Sequence, residues 1–349
     1  MLYCQGALNT TAGATTHVLL RRPGRYRVQA VVDDRFSGRD AREVVDGRSA
    51  DVPVYASVEA AVAASADGGQ RPTHLVIGAS YELGNFPSRA RAEVIRALEL
   101  GLHVVSGLFD NLALDPELGR LARGWDVTIT DLRRRLGGFG PGLHRGRLPD
   151  VEARRVAVLG TDVGVGKLTT CLALADALRG IGRTVAVVGT SPTAWLSGVR
   201  DTVIVDNLIH RFAPVEIEHA VWMAWRQSRP QVLVVQGWGG LLSPAIPGGV
   251  EVMAAARPDC IVLQHAPGRE YYQDADEYPI HSLDRQIEAA EQVSRRRVVA
   301  LALSGEDLSP ENAARARARI ESETGLPAMD PLRDGVDDII EAVLPYLQE

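Results

Sequence analysis

The sequence predicts an α/β protein made of two successive domains, each a doubly wound parallel sheet. Three observations predict it. Short apolar runs alternate with amphipathic helical stretches along the chain, which implies parallel strands joined by crossover helices. A Gly- and Pro-rich stretch, LGGFGPGLHRGRLPD at 136–150, interrupts the alternation and reads as a linker. Soon after it, the apolar run Val156–Leu159 leads into GTDVGVGKLTT at 160–170, a glycine-rich turn opening a second series. With 349 residues the chain is long enough for two cores, so domains are expected at 1–150, linker included, and 151–349.

In the first domain, Val28–Val32 is the expected strand that ends in Asp33 and Asp34. A helix is expected over Ser57–Ala64, and HLVI at 74–77 is a buried strand closing at Gly78. Apolar residues at Val94, Ile95, Leu98 and Leu100 give Ser88–Leu100 helical periodicity; Gly101 stops it, and His103–Ser106 is the next strand. In the second domain, strand 156–159 and helix 168–179 flank the glycine-rich turn. Strands are expected at 184–188, 232–235, 260–263 and 298–303, with a closing helix at 336–347. No internal repeat or low-complexity tract is present.

Composition narrows the function classes. Hydrophobic residues make up 46% and charged ones 23%, with a net charge of −6, an ordinary globular balance without the basic face that nucleic acid or an anionic membrane would favour. No apolar stretch approaches the ~20 residues of a membrane span. The N-terminal MLYCQGALNTTAG lacks the basic-then-apolar pattern of a secretory signal, so a cytoplasmic protein is expected. Cys4, Cys171 and Cys260 are far apart without metal-ligand spacing, which fits reduced thiols and no bound metal.

The glycine-rich turn carries the chemistry. A turn of this kind between strand and helix aims backbone N–H groups at a phosphate, and the helix dipole adds to the field. Gly160, Gly164 and Gly166 permit the tight path through Thr161, Asp162, Val163 and Val165, and Lys167 supplies the cation. Of 38 basic residues, Lys167 is the only lysine. A drift toward arginine explains the others; the exception has a chemical reason, because a compact ammonium fits between phosphate oxygens where a planar guanidinium is too wide.

Two positions have lost metal chemistry. Loops that hydrolyse nucleotides place a Ser or Thr hydroxyl after the lysine to bind Mg²⁺, and a neighbouring strand ends in a supporting carboxylate. Here Leu168 follows the lysine, and the strand at 232–235 leads into Gln236 of VVQGWGG. A neutral amide is a poor partner for a hard cation. Thr169 offers a hydroxyl, but helix geometry turns it about 100° from Leu168; Thr170 completes the loop.

GTD…VGK followed by GWGGLL.P resembles the nucleotide site of dethiobiotin synthetase. A more complete resemblance is to the bacterial D-glutamate N-acetyltransferase family, whose loop reads GTDxxVGKxTT with a non-hydroxyl residue after the lysine. It extends over nearly the whole chain, through VVSGLFDNLALDPEL (104–118), LQHAPGR (263–269), YPIHSL (278–283) and LPAMDPLRDG (326–335). That family pairs a Rossmann-like N-terminal domain with a P-loop-like C-terminal one. The resemblance implies acyl transfer from acetyl-CoA, or another acyl-CoA, to an amine, with the phosphates of coenzyme A in the cradle. The chain departs from the family pattern where Gln236 replaces Glu, Trp238 replaces Gln, Ser243 replaces His and Phe109 replaces His. Ser191-Pro192-Thr193-Ala194 stands for a Gly-Gln-Thr-Gly motif.

Further candidates follow from position and resemblance together. His265 and Arg269 come after the strand at 260–263, at the carboxyl end where α/β sheets bind ligands. His265 is the candidate base for an attacking amine and Arg269 a bidentate carboxylate anchor. Asp206 and Glu216 sit where the family has an acidic pair, with the spacing altered by HRFAP at 210–214. They are candidates for orienting the amine or steadying the lysine, against a reading as solvated carboxylates. Thr193, Gln236 and Tyr278 are candidate substrate contacts, with aromatic packing the alternative for Tyr278. Asp33 and Asp34 occupy a ribose-binding position, but the first turn, GALNTTAG, lacks G-x-G-x-x-G spacing. The runs Arg133–Arg135 and Arg295–Arg297 read as solvated faces, with an oligomer contact as the alternative. The expected protein is an acyl-CoA-dependent N-acyltransferase with a small amine or amino-acid acceptor, no nucleic-acid or membrane partner and a homo-oligomeric state. The alternatives are a Mg-ATP-dependent ligase or kinase and a non-catalytic sensor of a phosphate-bearing ligand.

Overall fold

The computed structural model describes residues 1–349 except 23, 66–69, 82–84, 135–145, 209–211 and 349. Most of the expected linker (136–145), Arg135, and His210 and Arg211 of the HRFAP stretch lie outside the described residues. The chain divides into two compact units, Met1–Gly138 with Trp195–Gly198, and Phe139–Ala194 with Val199–Glu349. Leu148 and Val151 are buried in the core of the second unit, and the Leu148 amide donates to the Glu218 carboxylate at 3.2 Å.

Among the described residues the first unit has six strands: β1 (Leu2–Tyr3), β2 (Val31–Val32), β3 (Val54–Tyr55), β4 (His74–Ile77), β5 (His103–Ser106) and β6 (Ile129–Asp131). All pair in parallel in the order β3-β2-β1-β4-β5-β6, the strand order of a Rossmann domain. Only Val31 and Val32 of the expected strand 28–32 enter the ladder, because they alone register against Leu2 and Tyr3. The helices lie at Val58–Ser65 and Ser88–Glu99, within a residue of expectation, and turn Val58, Ala61, Ala90, Val94, Ala97 and Leu98 into the core.

The second unit has seven parallel strands and an antiparallel hairpin. The strands are β7 (Arg154–Gly160), β8 (Val185–Gly189), β9 (Asp201–Thr202), β10 (Val232–Gln236), β11 (Cys260–His265), β12 (Tyr271–Tyr272), β13 (Ala275–Pro279), β14 (Val298–Leu303) and β15 (Ala328–Met329). The main sheet runs β15-β14-β11-β7-β10-β8-β9; β12 and β13 form the hairpin. Strand β7 is central, and Val156–Gly160 are all buried, as a continuous apolar run in a sheet covered on both faces should be. From β7 the chain builds one side through β8, β9 and β10, then crosses to β11, β14 and β15 on the other. That reversal puts a crevice at the carboxyl ends of β7, β10 and β11, where doubly wound sheets bind ligands. Among the described residues no helix is long and apolar enough to cross a membrane.

Candidate phosphate-ligand site

The GTDVGVGKLTT turn leaves β7 and enters the helix Lys167–Gly180. That helix forms because Leu168, Cys171, Leu172, Ala175 and Leu178 recur at three- and four-residue spacing and bury against the sheet. Its N-cap is Gly166 at φ 104°, a left-handed backbone that an L side chain resists, and no side chain caps the first turn. The first-turn amides, without a side-chain cap, and the helix dipole are thus suited to an anion.

Lys167 is buried and folds back over its own loop. Its ammonium donates to the Asp162 carbonyl at 2.7 Å and to the Gly239 carbonyl, in the segment after β10, at 2.7 Å. Gly160 has to be glycine for this, since a Cβ there would lie 2.7 Å from Nζ. Burial lowers the lysine to about 8, and the nearby Asp162 charge only partly offsets it.

Asp162 and Arg269 hold the loop from the opposite side. The Asp162 carboxylate accepts from the Val163 amide at 2.8 Å, from Arg269 Nη1 at 2.8 Å and from the Gln273 amide at 2.9 Å. Arg269 also donates to the Val163 carbonyl at 2.7 Å and to Glu306 at 2.9 Å. The guanidinium expected to grip a substrate carboxylate is therefore bound to two carboxylates of the protein itself.

His265 ends β11, and its Nδ1 lies 3.0 Å from Thr161 Oγ1. Burial, with Arg319 and Arg269 adding repulsion, lowers its pKa to about 4, so the ring is neutral at pH 7. Thr170 donates its hydroxyl to Gln264 Oε1, and Thr161 N donates to the Gln264 carbonyl at 2.9 Å. Leu168 is buried and Thr169 half-buried.

Gln236 ends β10 in the place of the metal-supporting carboxylate. Its Oε1 accepts from the Thr190 amide at 3.0 Å, and its Nε2 donates to Ser191 Oγ at 3.1 Å. Both ends of the amide are spent on closing β10 against the turn after β8.

Comparison with known proteins adds the family. A family model described as a P-loop domain of unknown function (DUF1611_C) matches residues 142–340, and one described as a Rossmann-like domain of unknown function (DUF1611_N) matches 34–135. The chain belongs to the DUF1611 family. The crystal structure of a DUF1611 family protein from Anabaena variabilis superposes with a TM-score of 0.86 at 29% identity, covering 99% of this chain and 98% of that one. Two curated relatives bear the name D-glutamate N-acetyltransferase. One, from Tritonibacter scottomollicae, is 26% identical over 77% of this chain and 80% of its own length. The other, from a Pseudoalteromonas species, is 28% identical over 71% and 74%.

The remaining candidates in this DUF1611 chain fall into three groups. Thr193 lies half-buried in the short helix Pro192–Leu196, two residues after Ser191, the residue that bonds Gln236. The turn Val205–Asn207 carries Asp206 and is tied to the carboxyl end of β8 by Val205 N donating to the Thr190 carbonyl at 3.3 Å; Glu216 is buried in the first turn of helix Ala213–Ser228. Tyr278 is 54% exposed on β13, so it is not packed as its aromatic character suggested.

In the first unit, Asp33 does not face a ribose. It is fully buried and accepts from the Leu8 amide at 3.2 Å and from the Arg35 guanidinium at 2.9 Å. Asp34 is paired with Arg89 and Gln5 at the surface. Arg295–Arg297 are exposed as expected, but Arg133 is not a solvated residue: it donates to the Gly107 carbonyl at 2.7 Å and stacks 3.8 Å over the Phe109 ring.

Sequence reasoning missed Glu306, Gln273, Gln264 and the Gly239 carbonyl. Glu306 had a signal, since it follows the carboxyl end of a strand that the apolar pattern locates. A polar Gln264 inside the apolar run of β11 was a second. The other two depend on loop paths that side-chain chemistry does not encode.

Proposed function

We propose that the chain is an N-acyltransferase that moves an acyl group, acetyl in the first instance, from coenzyme A to the amine of an amino acid or related small molecule. The observation that carries this reading is Gln236. An amide whose oxygen and nitrogen are both committed to Thr190 and Ser191 gives no anionic support to Mg²⁺, while the amide cradle and Lys167 still suit phosphates. Coenzyme A brings a pyrophosphate and a 3′-phosphate and needs no metal for transfer. The names of the two curated relatives support acetyl as the group and an acidic D-amino acid as an acceptor to try first.

In this reading Lys167 and the first-turn amides hold the donor phosphates. The donor's thioester extends into the crevice between β7 and β11, which carries Thr161 and His265. The acceptor amine enters as the free base and attacks the thioester carbonyl directly.

Thermal shift with coenzyme A, acetyl-CoA, ATP and GTP, each with and without Mg²⁺, tests the donor. A ligand at 100 times its Kd raises stability by about 2.7 kcal/mol, which is easily seen. Release of free thiol from acetyl-CoA with D-glutamate and a panel of other amines tests the transfer. A shift confined to Mg-ATP would overturn the reading in favour of a ligase or kinase. Coenzyme A binding without thiol release for any amine would favour a sensor.

A further inference from the structure

We infer that His265 acts as a neutral hydrogen-bond donor through Nε2–H, and that Thr161 is the positioning residue that fixes this tautomer. The chemistry rests on the acyl-transfer reading; the tautomer does not.

The Thr161 hydroxyl decides the tautomer. Thr161 has no exposed surface, so water does not reach it, and among the described residues the partner of Oγ1 is His265 Nδ1 at 3.0 Å. A buried hydroxyl donates when an acceptor is in reach, because an O–H sealed without one loses the hydrogen bond it had in water. If Nδ1 carried the proton, it would donate to Thr161 and leave that hydroxyl hydrogen with no acceptor. The consistent arrangement has Thr161 donating to Nδ1, which puts the ring proton on Nε2. Neither residue can turn away easily. Thr161 N is held by the Gln264 carbonyl at 2.9 Å, and the His265 carbonyl accepts from Ser304 N at 2.8 Å.

The second nitrogen is not sealed inside the protein. Among the described residues nothing bonds Nε2, and it is not among the side-chain atoms sealed from solvent without a partner. Burial and two nearby arginines keep the ring uncharged at neutral pH. A neutral Nε2–H without a partner among the described residues, at the carboxyl end of β11, can donate to an oxygen that gains negative charge; it has no lone pair there with which to take a proton.

Applied to acyl transfer, the step balances without a protein base. The amine nitrogen forms a bond to the thioester carbon, and the carbonyl π pair moves onto oxygen, where His265 Nε2–H stabilises it. That pair returns as the carbon–sulfur bond breaks, and the proton shed by the nitrogen goes to the leaving sulfur. The products are an amide and free thiol.

Two measurements test this. In protein labelled with ¹⁵N-histidine, long-range proton–nitrogen correlation at pH 7 should show His265 with Nε2 protonated and Nδ1 bare, its signals assigned by their loss in His265→Gln. Thr161→Val should shift that ring's nitrogens and Thr161→Ser should restore them; if His265→Gln folds poorly, this pair makes the assignment instead. A ring protonated at Nδ1, or charged at pH 7, overturns the inference whatever the enzyme does. In the transfer assay, His265→Gln keeps an N–H donor and should hold kcat within about tenfold, whereas His265→Ala should lose about 100-fold. Equal loss in both variants marks His265 as a base and overturns the donor role. If no amine is acylated while the tautomer is as described, it is the acyl-transfer reading that fails.

Discussion

Arg269 and Asp162 form an ion pair at 2.8 Å whose carboxylate side has no exposed surface. Arg269→Ala leaves that carboxylate buried without its cation, which costs about 3–5 kcal/mol. Chemical denaturation of the ligand-free protein should show the loss. Arg269→Lys should recover little of it, because one ammonium cannot reach Asp162, the Val163 carbonyl and Glu306 together. If Arg269→Lys is as stable as the parent but raises only the acceptor KM, the arginine is a substrate anchor after all.

Lys167→Ala removes the one ammonium in the cradle. Donor affinity should fall by about 1.5–3 kcal/mol, the range for hydrogen bonds to charged groups. Isothermal calorimetry with coenzyme A reads this directly. Unchanged affinity would mean that the loop does not hold the phosphates.

His265 predicts a pH dependence of stability. Folding lowers its pKa from 6.5 to about 4, so between those values the unfolded chain binds more protons than the folded one. Its contribution is complete above pH 6.5 and is lost as the pH falls toward 4, a change of up to about 3 kcal/mol for this half-buried ring. Denaturation of His265→Gln over the same range should be flatter than that of the parent. Parallel curves would place the ring in water.

Restoring the metal site tests the role of Leu168 and Gln236. Leu168→Thr with Gln236→Glu returns a hydroxyl and a carboxylate, so the double variant should bind Mg-ATP more tightly than the parent and coenzyme A about equally. Without Mg²⁺ the new carboxylate is a buried, unsupported charge and should lower the melting temperature; the cation should relieve this. Tight Mg-ATP binding by the parent would assign the metal to Thr169 or another group.

Most of the second sheet was legible because its strands are buried on both faces, so β7, β10, β11 and β14 stand out as apolar runs. The first sheet was harder. Strand β1 contributes two residues, too few for a pattern, and the helix Ala14–Arg21 went unseen. Within the site, Lys167 and Gln236 could be read from identity alone, because a lone lysine and a missing carboxylate are chemical statements. Arg269 could not. Its charge suggested an anion, and only the folded path of the chain decides that the anion is Asp162. For Asp33 the missing glycine spacing of the first turn already spoke against a ribose, and Leu8 and Arg35 claim its carboxylate.

The two carbonyls that hold Lys167 have a consequence for an enzyme that handles an activated acyl group. A lysine whose pKa is lowered to about 8 is a better nucleophile than an ordinary one, and here it sits in the loop proposed to hold the donor. Donation to Asp162 and Gly239 keeps the nitrogen engaged as an ammonium, its electron pair occupied by a proton. With no other lysine in the chain, a thioester meets no further side-chain amine to modify. Under the proposed acyl-transfer function the site would in this sense resist its donor: prolonged incubation with acetyl-CoA should leave the mass of Lys167-containing peptides unchanged, and an acetyl group found there would mean that the two carbonyls do not protect it.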